Sequence, residues 1–222
     1  MPSLAEWPSR PPRWQARKVG GRCGGGCGDR VRDARPAERA ALATLLARAF
    51  ARDPVYRWIV PDDAHWQRVA PGFFREILAL YTDTGLVLTT ERGVALWNPP
   101  EPRARPFGAG LAFALRVCAR LGRATPRLAR AAGALASLHP REPHWYLGVI
   151  GVEPDHQRRG IGTRLMAGPL ARCDAEGLPA CLETAAPGNL AFYRARGFEV
   201  TGEVSVAGGP AVWALRRAPR ES

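Results

Sequence analysis

The stretch that decides the fold is Gly148–Leu165, which reads GVIGVEPDHQRRGIGTRL. It opens with an apolar segment containing Val and Ile, which predicts a strand, and a turn at Glu153-Pro154 follows. The chain then continues as a basic loop that leads into a helix. Such a loop directs several backbone N–H groups and a helix N-terminus at one place, which suits a phosphate or a diphosphate. The glycines at 160 and 162 lack a Cβ, so we expect a ligand to approach the backbone closely there.

The spacing of Gly160-Ile161-Gly162 excludes two common phosphate-binding loops. A P-loop requires GxxxxGK[ST], and no lysine follows this loop, because Lys18 is the one lysine of the chain. A dinucleotide-binding turn requires GxGxxG, and no third glycine stands at the required place. What remains is the pattern Gln-x-x-Gly-x-Gly after a strand.

Composition and charge limit the classes of protein to which the chain can belong. The chain has 222 residues and a hydrophobic content of 46%, which suits one domain able to bury a core. Its net charge of +12 fits an anionic ligand, and it also fits weak attraction to nucleic acid or an acidic membrane. We predict no specific nucleic-acid partner, because no helix-turn-helix, zinc or RNA-binding pattern occurs. We predict no membrane insertion, because no apolar run reaches roughly 18 residues.

The N-terminal residues 1–28 differ in composition from the remainder. They are rich in Pro, Arg and Gly, so we predict a disordered basic tail, followed by a single domain over residues 29–222. The five cysteines are odd in number and scattered, which argues against a disulfide framework. Cys23 and Cys27 lack a second ligand pair, so no metal site is predicted. The absence of a signal-peptide pattern favours a cytoplasmic protein.

Hydrophobic periodicity predicts a mixed α/β protein with one sheet and helices on both faces. Strands are expected over 30–34, 86–89, 94–97, 145–152, 180–184, 198–205 and 211–216. Helices are expected over 36–51, 66–81, 108–138, 160–175 and 189–196. The long helical region is expected to break near Thr125-Pro126. Arginines recur in it every three or four residues from Arg116 to Arg130, as on a solvated helix face or a basic wall facing an anion.

The motifs resemble those of the GNAT superfamily of N-acetyltransferases. The loop is similar to the acetyl-CoA loop of that superfamily, and the segments 139–147 and 182–198 resemble its flanking motifs. Within the superfamily they most resemble the puromycin N-acetyltransferases and their relatives. The resemblance implies a mostly antiparallel mixed sheet with a splayed pair of parallel strands at the cofactor site.

The resemblance also implies a role for each segment. The backbone of Ile150, Gly151 and Val152 would pair with the pantetheine arm of acetyl-CoA, and Asn189 would hydrogen-bond to it. Tyr193 would lie beside the thioester sulfur. The diphosphate would lie against residues 157–163, which are Gln157, Arg158, Arg159, Gly160, Ile161, Gly162 and Thr163. Arg158 stands where many relatives carry Gly, and its charge suits a phosphate.

Acyl transfer to an amine needs a base, an oxyanion donor and an acid. We interpret Tyr193 as the acid, with core packing as the alternative. The base is open between Glu183, whose alternative is a strand-end carboxylate paired with Arg, and His144, whose alternative is a structural histidine. A strand N–H near Val152 could hold the oxyanion.

The predicted function is transfer of an acetyl group from acetyl-CoA to a primary amine of a small molecule, in a monomer or homodimer without a metal. Protein N-acetylation and non-catalytic binding of acyl-CoA or a polyanion are the alternatives. Aromatic residues could line an acceptor pocket, although core packing is the commoner role. These are Phe50, Tyr56, Trp58, Trp66, Phe73, Trp97 and Phe107.

Overall fold

A computed structural model describes residues 30–101 and 108–220. The predicted tail, Cys23, Cys27 and Phe107 lie outside the described residues. The strands are β1 (Arg32–Asp33), β2 (Leu86–Thr89), β3 (Gly93–Asn98), β4 (Trp145–Val152), β5 (Ala180–Thr184), β6 (Glu199–Ser205) and β7 (Ala211–Arg217). The helices are α1 (Arg39–Ala49), α2 (Pro54–Ile59), α3 (Asp63–Thr84), α4 (Ala109–Leu121), α5 (Thr125–Leu138), α6 (Ile161–Glu176) and α7 (Leu190–Arg194).

The strands form one seven-stranded sheet in the order β1-β2-β3-β4-β5-β7-β6. Every neighbouring pair is antiparallel except β4 and β5, which run parallel. The connection between these two strands is α6, as a parallel crossover requires. The predicted mixed, mostly antiparallel sheet is therefore confirmed.

Each face of the sheet carries its own hydrophobic core. On one face, Val94, Leu96 and Val149 of the central strands are buried with apolar side chains of α1 and α3. On the other face, Ala95 and Leu147 are buried with Leu165 and Met166 of α6 and with α7. The central strands are apolar on both faces because helices cover both of them.

The sequence missed α2, a short helix that begins where α1 is predicted to end. Asp53-Pro54 does end the first helix, but the same pair starts the next one. The Asp53 carboxylate accepts hydrogen bonds from the N–H groups of Val55 (3.0 Å) and Tyr56 (3.2 Å), and Pro54 occupies the first helical turn. An acidic N-cap followed by proline is a start signal for a helix, so the pair that ends α1 also begins α2.

The long helical region breaks over Gly122–Ala124, directly before the Thr125-Pro126 pair near which the break is predicted. Gly122 adopts φ +51°, a left-handed conformation that glycine takes without strain. Pro126 then lies in the first turn of α5, where its missing N–H leaves no hydrogen bond unmade, so it starts a helix instead of interrupting one.

The arginines of this region do not form one basic wall. Arg116 donates to the buried carboxylate of Glu76 on α3, at 2.7 Å, and Arg120 lies 3.7 Å from the other oxygen of that carboxylate. Arg127 donates to the backbone carbonyl of Trp58 at 3.1 Å. The break at Gly122 directs the two groups of arginines at different neighbours, so these three serve helix packing.

Candidate active site

The two parallel strands separate at the centre of the sheet. Their pairing runs from Trp145 opposite Ala180 to Leu147 opposite Leu182 and stops there. β4 nevertheless continues to Val152, still paired with β3 on its other side. A gap therefore opens beside the second half of β4, and it is lined by backbone on that side.

A β-bulge at Gly148 starts this gap. Leu96 of β3 lies opposite Val149, whereas the next residue, Trp97, lies opposite Leu147, so Gly148 is the extra residue of β4. A Cβ on Gly148 would lie 1.8 Å from the hydroxyl oxygen of Tyr81 on α3. The bulge was not predicted, although a glycine inside a strand pattern is a known signal for one.

The backbone groups of Ile150 and Val152 face the gap. The Glu153 N–H donates to the Arg92 carbonyl at 2.9 Å. The backbone N–H and C=O groups of the odd-numbered residues of this stretch therefore point towards β3. Because backbone direction alternates along a strand, Ile150 and Val152 point the other way. The Val152 carbonyl accepts from the Gln157 side chain at 3.3 Å.

Gly151 plays a different part from its two neighbours. Its polar groups point towards β3, and a Cβ there would lie 2.7 Å from the Leu46 side chain of α1. The glycine therefore allows α1 to pack closely on the sheet. Of the three residues predicted to pair with pantetheine, two present their backbone to the gap and Gly151 does not.

Beyond the gap, the loop before α6 exposes a group of N–H donors. Arg158 has φ +59° and Gly160 has φ +77°, so the chain turns sharply at both positions. Within the described residues, the backbone N–H groups of positions 158 to 163 donate to no other residue. Alternating left-handed residues next to a helix N-terminus form a concave anion-binding surface.

Packing beneath the loop holds it in place. Arg48 of α1 pairs with Glu153 through two hydrogen bonds, one of them at 3.1 Å. A Cβ on Gly93 would meet Ile161 at 2.8 Å, which brings the first residue of α6 against β3. A Cβ on Gly162 would meet the Phe192 ring at 3.0 Å. The glycine at 162 thus accommodates α7, a use that differs from the predicted close approach of a ligand.

The side chain of Thr163 is engaged within the protein. Its hydroxyl accepts a hydrogen bond from Arg196, whose guanidinium lies 3.6 Å from the centroid of the Phe192 ring. The loop side chains Gln157, Arg158 and Arg159 are exposed. Those three residues and Gly160 therefore form the accessible part of the predicted diphosphate site.

Asn189 and Tyr193 follow β5 on the far side of the gap. Asn189 is exposed at the end of a 3-10 turn. Tyr193 is buried, and its ring packs on Phe192 and Phe198 at centroid distances of 5.2 and 6.0 Å. Burial raises the pKa of the Tyr193 hydroxyl, and the Asp53 charge raises it further. The hydroxyl therefore stays protonated near neutral pH, as an acid that donates to a thiolate must.

Glu183 lies at the end of β5, in a cluster of polar groups. The Tyr146 hydroxyl donates to one carboxylate oxygen, and His139 Nδ1 lies 4.0 Å from the other. The side chain is only 7% exposed. Burial raises the pKa of this carboxyl, and the hydrogen bond from Tyr146 opposes the shift. No arginine pairs with Glu183 among the described residues, so the salt-bridged alternative is not found there.

His144 belongs to the same cluster. Its Nδ1 lies 2.7 Å from the Glu142 carbonyl oxygen, which can only accept, so Nδ1 carries the proton in the neutral ring. Nε2 then carries the lone pair, and it is buried without a partner among the described residues. The ring centroid lies 4.8 Å from that of His139 and 6.2 Å from that of Tyr146.

Sequence reasoning missed Tyr81, Tyr146 and His139. The chain has four tyrosines, and burial, followed by the charge of Asp53 or Glu183, raises the hydroxyl pKa of each of them. They come from α2, α3, β4 and α7, and no spacing in the sequence links these elements. Only the position of Tyr146 on the strand before the loop could have indicated it.

The aromatic residues proposed for an acceptor pocket serve mainly as core. Phe50, Tyr56, Trp66 and Phe73 surround Phe74, with ring centroids between 5.2 and 6.2 Å apart along their contacts. Trp97 is fully buried on the opposite face of the sheet. Trp58 instead donates to the Gly208 carbonyl at 2.5 Å and holds the β6–β7 hairpin.

Comparison with known proteins agrees with this geometry. Residues 118–198 match the sequence model of the acetyltransferase (GNAT) family. The chain is similar to a Corynebacterium glutamicum structure described as histone acetyltransferase HPA2 and related acetyltransferase, at 20% identity and a TM-score of 0.62, covering 86% of this chain and 97% of that one. It is also similar to arylalkylamine N-acetyltransferase 2 from Aedes aegypti, at 9% identity and a TM-score of 0.59, covering 86% and 99%. A GCN5-related N-acetyltransferase from Rhodopseudomonas palustris shares 15% identity with a TM-score of 0.53, covering 89% and 99%.

The chain has the GNAT fold, and its residues 118–198 match the sequence model of the acetyltransferase (GNAT) family. The matched segment contains β4, the loop, α6, β5 and α7, which are the elements that surround the gap. The finer resemblance to puromycin N-acetyltransferases finds no support in these comparisons and stays a prediction.

No helix among the described residues has the length and apolar character needed to cross a bilayer. No group of three or more His, Cys, Asp or Glu side chains among them is arranged to hold a metal ion.

Proposed function

We propose that the protein transfers an acetyl group from acetyl-CoA to the primary amine of a small molecule. One observation carries the proposal: β4 and β5 stop pairing at Leu147 and Leu182, directly before Glu183, and β4 then continues towards the loop 158–163, whose N–H groups donate to no other described residue. A donor with a diphosphate at one end and a thioester at the other fits such a gap lengthwise.

The donor would bind mainly through backbone. The amides of the pantetheine arm pair with Ile150 and Val152 as an additional strand would, and Asn189 donates from the far side. The diphosphate accepts from the loop N–H groups and from the α6 N-terminus, with Arg158 and Arg159 supplying charge. Gly160, Ile161, Gly162 and Thr163 contribute N–H groups, and Gly151 supports the strand from behind.

The chemistry follows from the groups at the inner end. Glu183 removes a proton from the acceptor ammonium, directly or through water, and the neutral amine attacks the thioester carbonyl. A backbone N–H that faces the gap at Ile150 or Val152 stabilises the oxyanion. The C–S bond then breaks, and Tyr193 protonates the thiolate. His144, with its unpaired lone pair, is the second candidate for the base.

A small acceptor suits this inner end better than a folded protein. The Glu183 side chain is 7% exposed, and Tyr81 and Tyr193 are buried, so the reacting nitrogen must enter a narrow space. The similarity in fold to an arylalkylamine N-acetyltransferase is consistent with a small amine. A small amine reaches a buried carboxylate without unfolding the acceptor.

We infer a reducing, cytoplasmic setting from the cysteines. Cys118, Cys173 and Cys181 are free, and burial raises the pKa of the Cys173 thiol to about 12 and that of Cys181 to about 11. Such thiols pack as small apolar side chains and resist oxidation. The predicted monomer or homodimer remains a prediction.

The test combines binding with turnover. Calorimetry with acetyl-CoA should give a saturable heat that weakens in Arg158→Ala and is unchanged in the matched surface variant Arg123→Ala. A thiol-release screen should then cover arylalkylamines, polyamines, puromycin and peptides with free N-termini. Tyr193→Phe should lower kcat by about a hundredfold or more, the lower end of the usual range for acid–base catalysis, while acetyl-CoA affinity is retained.

Each outcome of this test leads to a different conclusion. Absence of acetyl-CoA binding refutes the proposal outright. Binding without turnover across the whole panel identifies a non-catalytic acyl-CoA binder. Turnover of peptides alone identifies a protein N-acetyltransferase. Unchanged turnover in Tyr193→Phe removes that residue as the acid.

A further inference from the structure

His139 connects the buried carboxylate of Glu183 with the surface. It follows the last residue of α5, and its side chain is 45% exposed, whereas that of Glu183 is 7% exposed. His139 Nδ1 lies 4.0 Å from Glu183 Oε1, within range of an ion pair or a hydrogen bond through one water. The other carboxylate oxygen is occupied by the Tyr146 hydroxyl.

The imidazole of His139 is held in this position by ring contacts. Its centroid lies 4.8 Å from the His144 ring and 4.7 Å from the Tyr146 ring, both in edge-to-face geometry. Edge-to-face contacts orient an aromatic ring as well as bury it. His139 is thus a half-exposed side chain with a defined orientation towards Glu183.

We propose that His139 is a proton outlet, which accepts from Glu183 the proton removed from the acceptor amine and releases a proton to solvent. The proposal rests on the proposed function and concerns its base. His139 acts through Glu183 and does not touch the substrate, so it is a positioning and relay residue.

The proton balance of the reaction requires such an outlet. An ammonium acceptor and acetyl-CoA give an amide, a thiol and one free proton. The first amine proton passes to Glu183, on to the His139 nitrogen that faces it, and a proton leaves His139 for water. The C–N bond forms and the C–S bond breaks. The second amine proton replaces the one that Tyr193 gives to the thiolate. Glu183, at 7% exposure, has little direct access to water.

The charged and titratable neighbours of His139 support its part as a transient carrier. Tyr81 of α3, Tyr146 of β4, Glu183 of β5 and His144 before β4 surround the pair, and Glu142 is engaged by Arg216 of β7 at 3.1 Å. Burial, and then His144, lower the pKa of His139, so it is neutral near pH 7 and free to accept a proton. Burial raises the pKa of Glu183, so the pKa values of the proton donor Glu183 and the acceptor His139 lie closer together.

The first experiment tests the pair without depending on catalysis. Histidine-labelled protein is titrated by NMR, with His139→Gln used to assign the resonance. In the wild type the His139 shift should follow two titrations, its own and that of Glu183, and in Glu183→Gln it should follow one. Identical His139 titrations in the two proteins would overturn the inference, whatever the enzyme does.

The second experiment tests the relay with the amine that is turned over fastest. His139→Ala should lower kcat near pH 7 about tenfold, leave the KM for acetyl-CoA unchanged, and recover when millimolar imidazole is added. His65→Ala, on the N-terminal turn of α3, is the matched control and should show neither effect. A merely structural role would give no recovery with imidazole.

The two proposals fail in different ways. A wild-type protein that turns over no acceptor refutes the proposed function, and the relay with it. A wild type that turns over an amine, with His139→Ala equally active or not recovered by imidazole, refutes the relay alone. Full activity of His139→Ala at every pH from about 6 to 9 would show that Glu183 reaches water directly.

Discussion

The hydroxyl group of Tyr81 occupies the space that a side chain at Gly148 would need. A Cβ on Gly148 would lie 1.8 Å from the hydroxyl oxygen and 2.8 Å from the ring carbon that bears it. α3 therefore reaches the bulge of β4 through one tyrosine, at the point where the two parallel strands separate. This contact ties the helix layer to the backbone that is proposed to bind pantetheine.

Substitution of this glycine should damage fold and site together. We expect Gly148→Ala to lower the free energy of unfolding by about 1–3 kcal/mol, the usual range for overpacking, since Tyr81 has to move. Urea denaturation measures this change. Gly133→Ala is the matched control: its Cβ would meet nothing within 4 Å, and it lies inside α5, so the substitution should be neutral or stabilising. Equal effects of the two substitutions would contradict the contact.

Arg158 should lower the stability of the fold through its backbone conformation while it supplies a positive charge to the loop. It is the one residue other than glycine with a positive φ within the described chain, at +59°, a conformation that costs a side chain about 1 kcal/mol. We expect Arg158→Gly to raise the free energy of unfolding by up to about 1 kcal/mol and to weaken acetyl-CoA binding about tenfold, as loss of a charged phosphate contact does. Thermal unfolding and calorimetry check the two effects separately.

Arg158→Ala separates the two causes. It removes the charge but keeps the unfavourable φ, so its affinity should fall as in Arg158→Gly while its stability stays near that of the wild type. If both variants bind acetyl-CoA as the wild type does, the loop does not recognise the diphosphate through this side chain.

Glu183 should make the stability of the protein depend on pH. Because its folded-state pKa is raised by burial, its favourable contribution is present below the unfolded pKa and is lost as pH rises through the folded value. The free energy of unfolding of Glu183→Gln, relative to that of the wild type, should therefore be more favourable at about pH 8 than at about pH 4. Paired urea titrations at the two pH values measure the difference.

Asp174→Asn provides a control of opposite sign. The pKa of Asp174 is lowered, chiefly by its hydrogen bonds from Arg217, so its contribution is present above the unfolded pKa and is lost as pH falls. The difference in free energy of unfolding between the wild type and this less stable variant should become smaller as the pH is lowered. Parallel pH trends for the two variants would contradict the assigned environments.

The pair of Asp174 and Arg217 should be the strongest ion pair of the C-terminal strand. Arg217 is buried and donates to both oxygens of Asp174, at 2.8 and 2.9 Å. Asp174→Ala should destabilise the protein by about 3–5 kcal/mol, because it leaves a buried guanidinium without its partner. Chemical denaturation measures the loss.

The neighbouring pair gives a matched comparison. Arg216 donates to Glu142 at 3.1 Å, but both side chains are more than a third exposed. Glu142→Ala should therefore cost less than about 1 kcal/mol. A loss as large as that of Asp174→Ala would mean that burial does not govern these two bridges.

Much of the fold could be predicted because local signals and long-range packing agree. The strands Trp145–Val152 and Ala180–Thr184 have the bounds that the sequence predicts for them. The break in the long helical region falls beside the predicted Thr125-Pro126, although the proline starts α5 instead of ending a helix. Gly122, three residues earlier, was the stronger signal.

The candidate site could be predicted only where it is continuous in sequence. The loop from Gln157 to Gly160 is one uninterrupted segment, so its donors are visible as a motif. The surroundings of Glu183 are assembled from α3, the end of α5 and β4, and only tertiary packing brings Tyr81, His139 and Tyr146 together. The bulge at Gly148 arises from a register shift against β3, which the sequence of β4 alone does not contain.

The position of the parallel pair in the sheet limits how this domain can be divided. β4 and β5 share only three paired positions, and their remaining partners are β3 from the N-terminal half and β7 from the C-terminus. A fragment trimmed to residues 118–198 would expose two long unpaired edges and aggregate rather than fold. The proposed donor site is therefore not a separable unit. An exchange of segments between homologues requires breakpoints that keep all four central strands together.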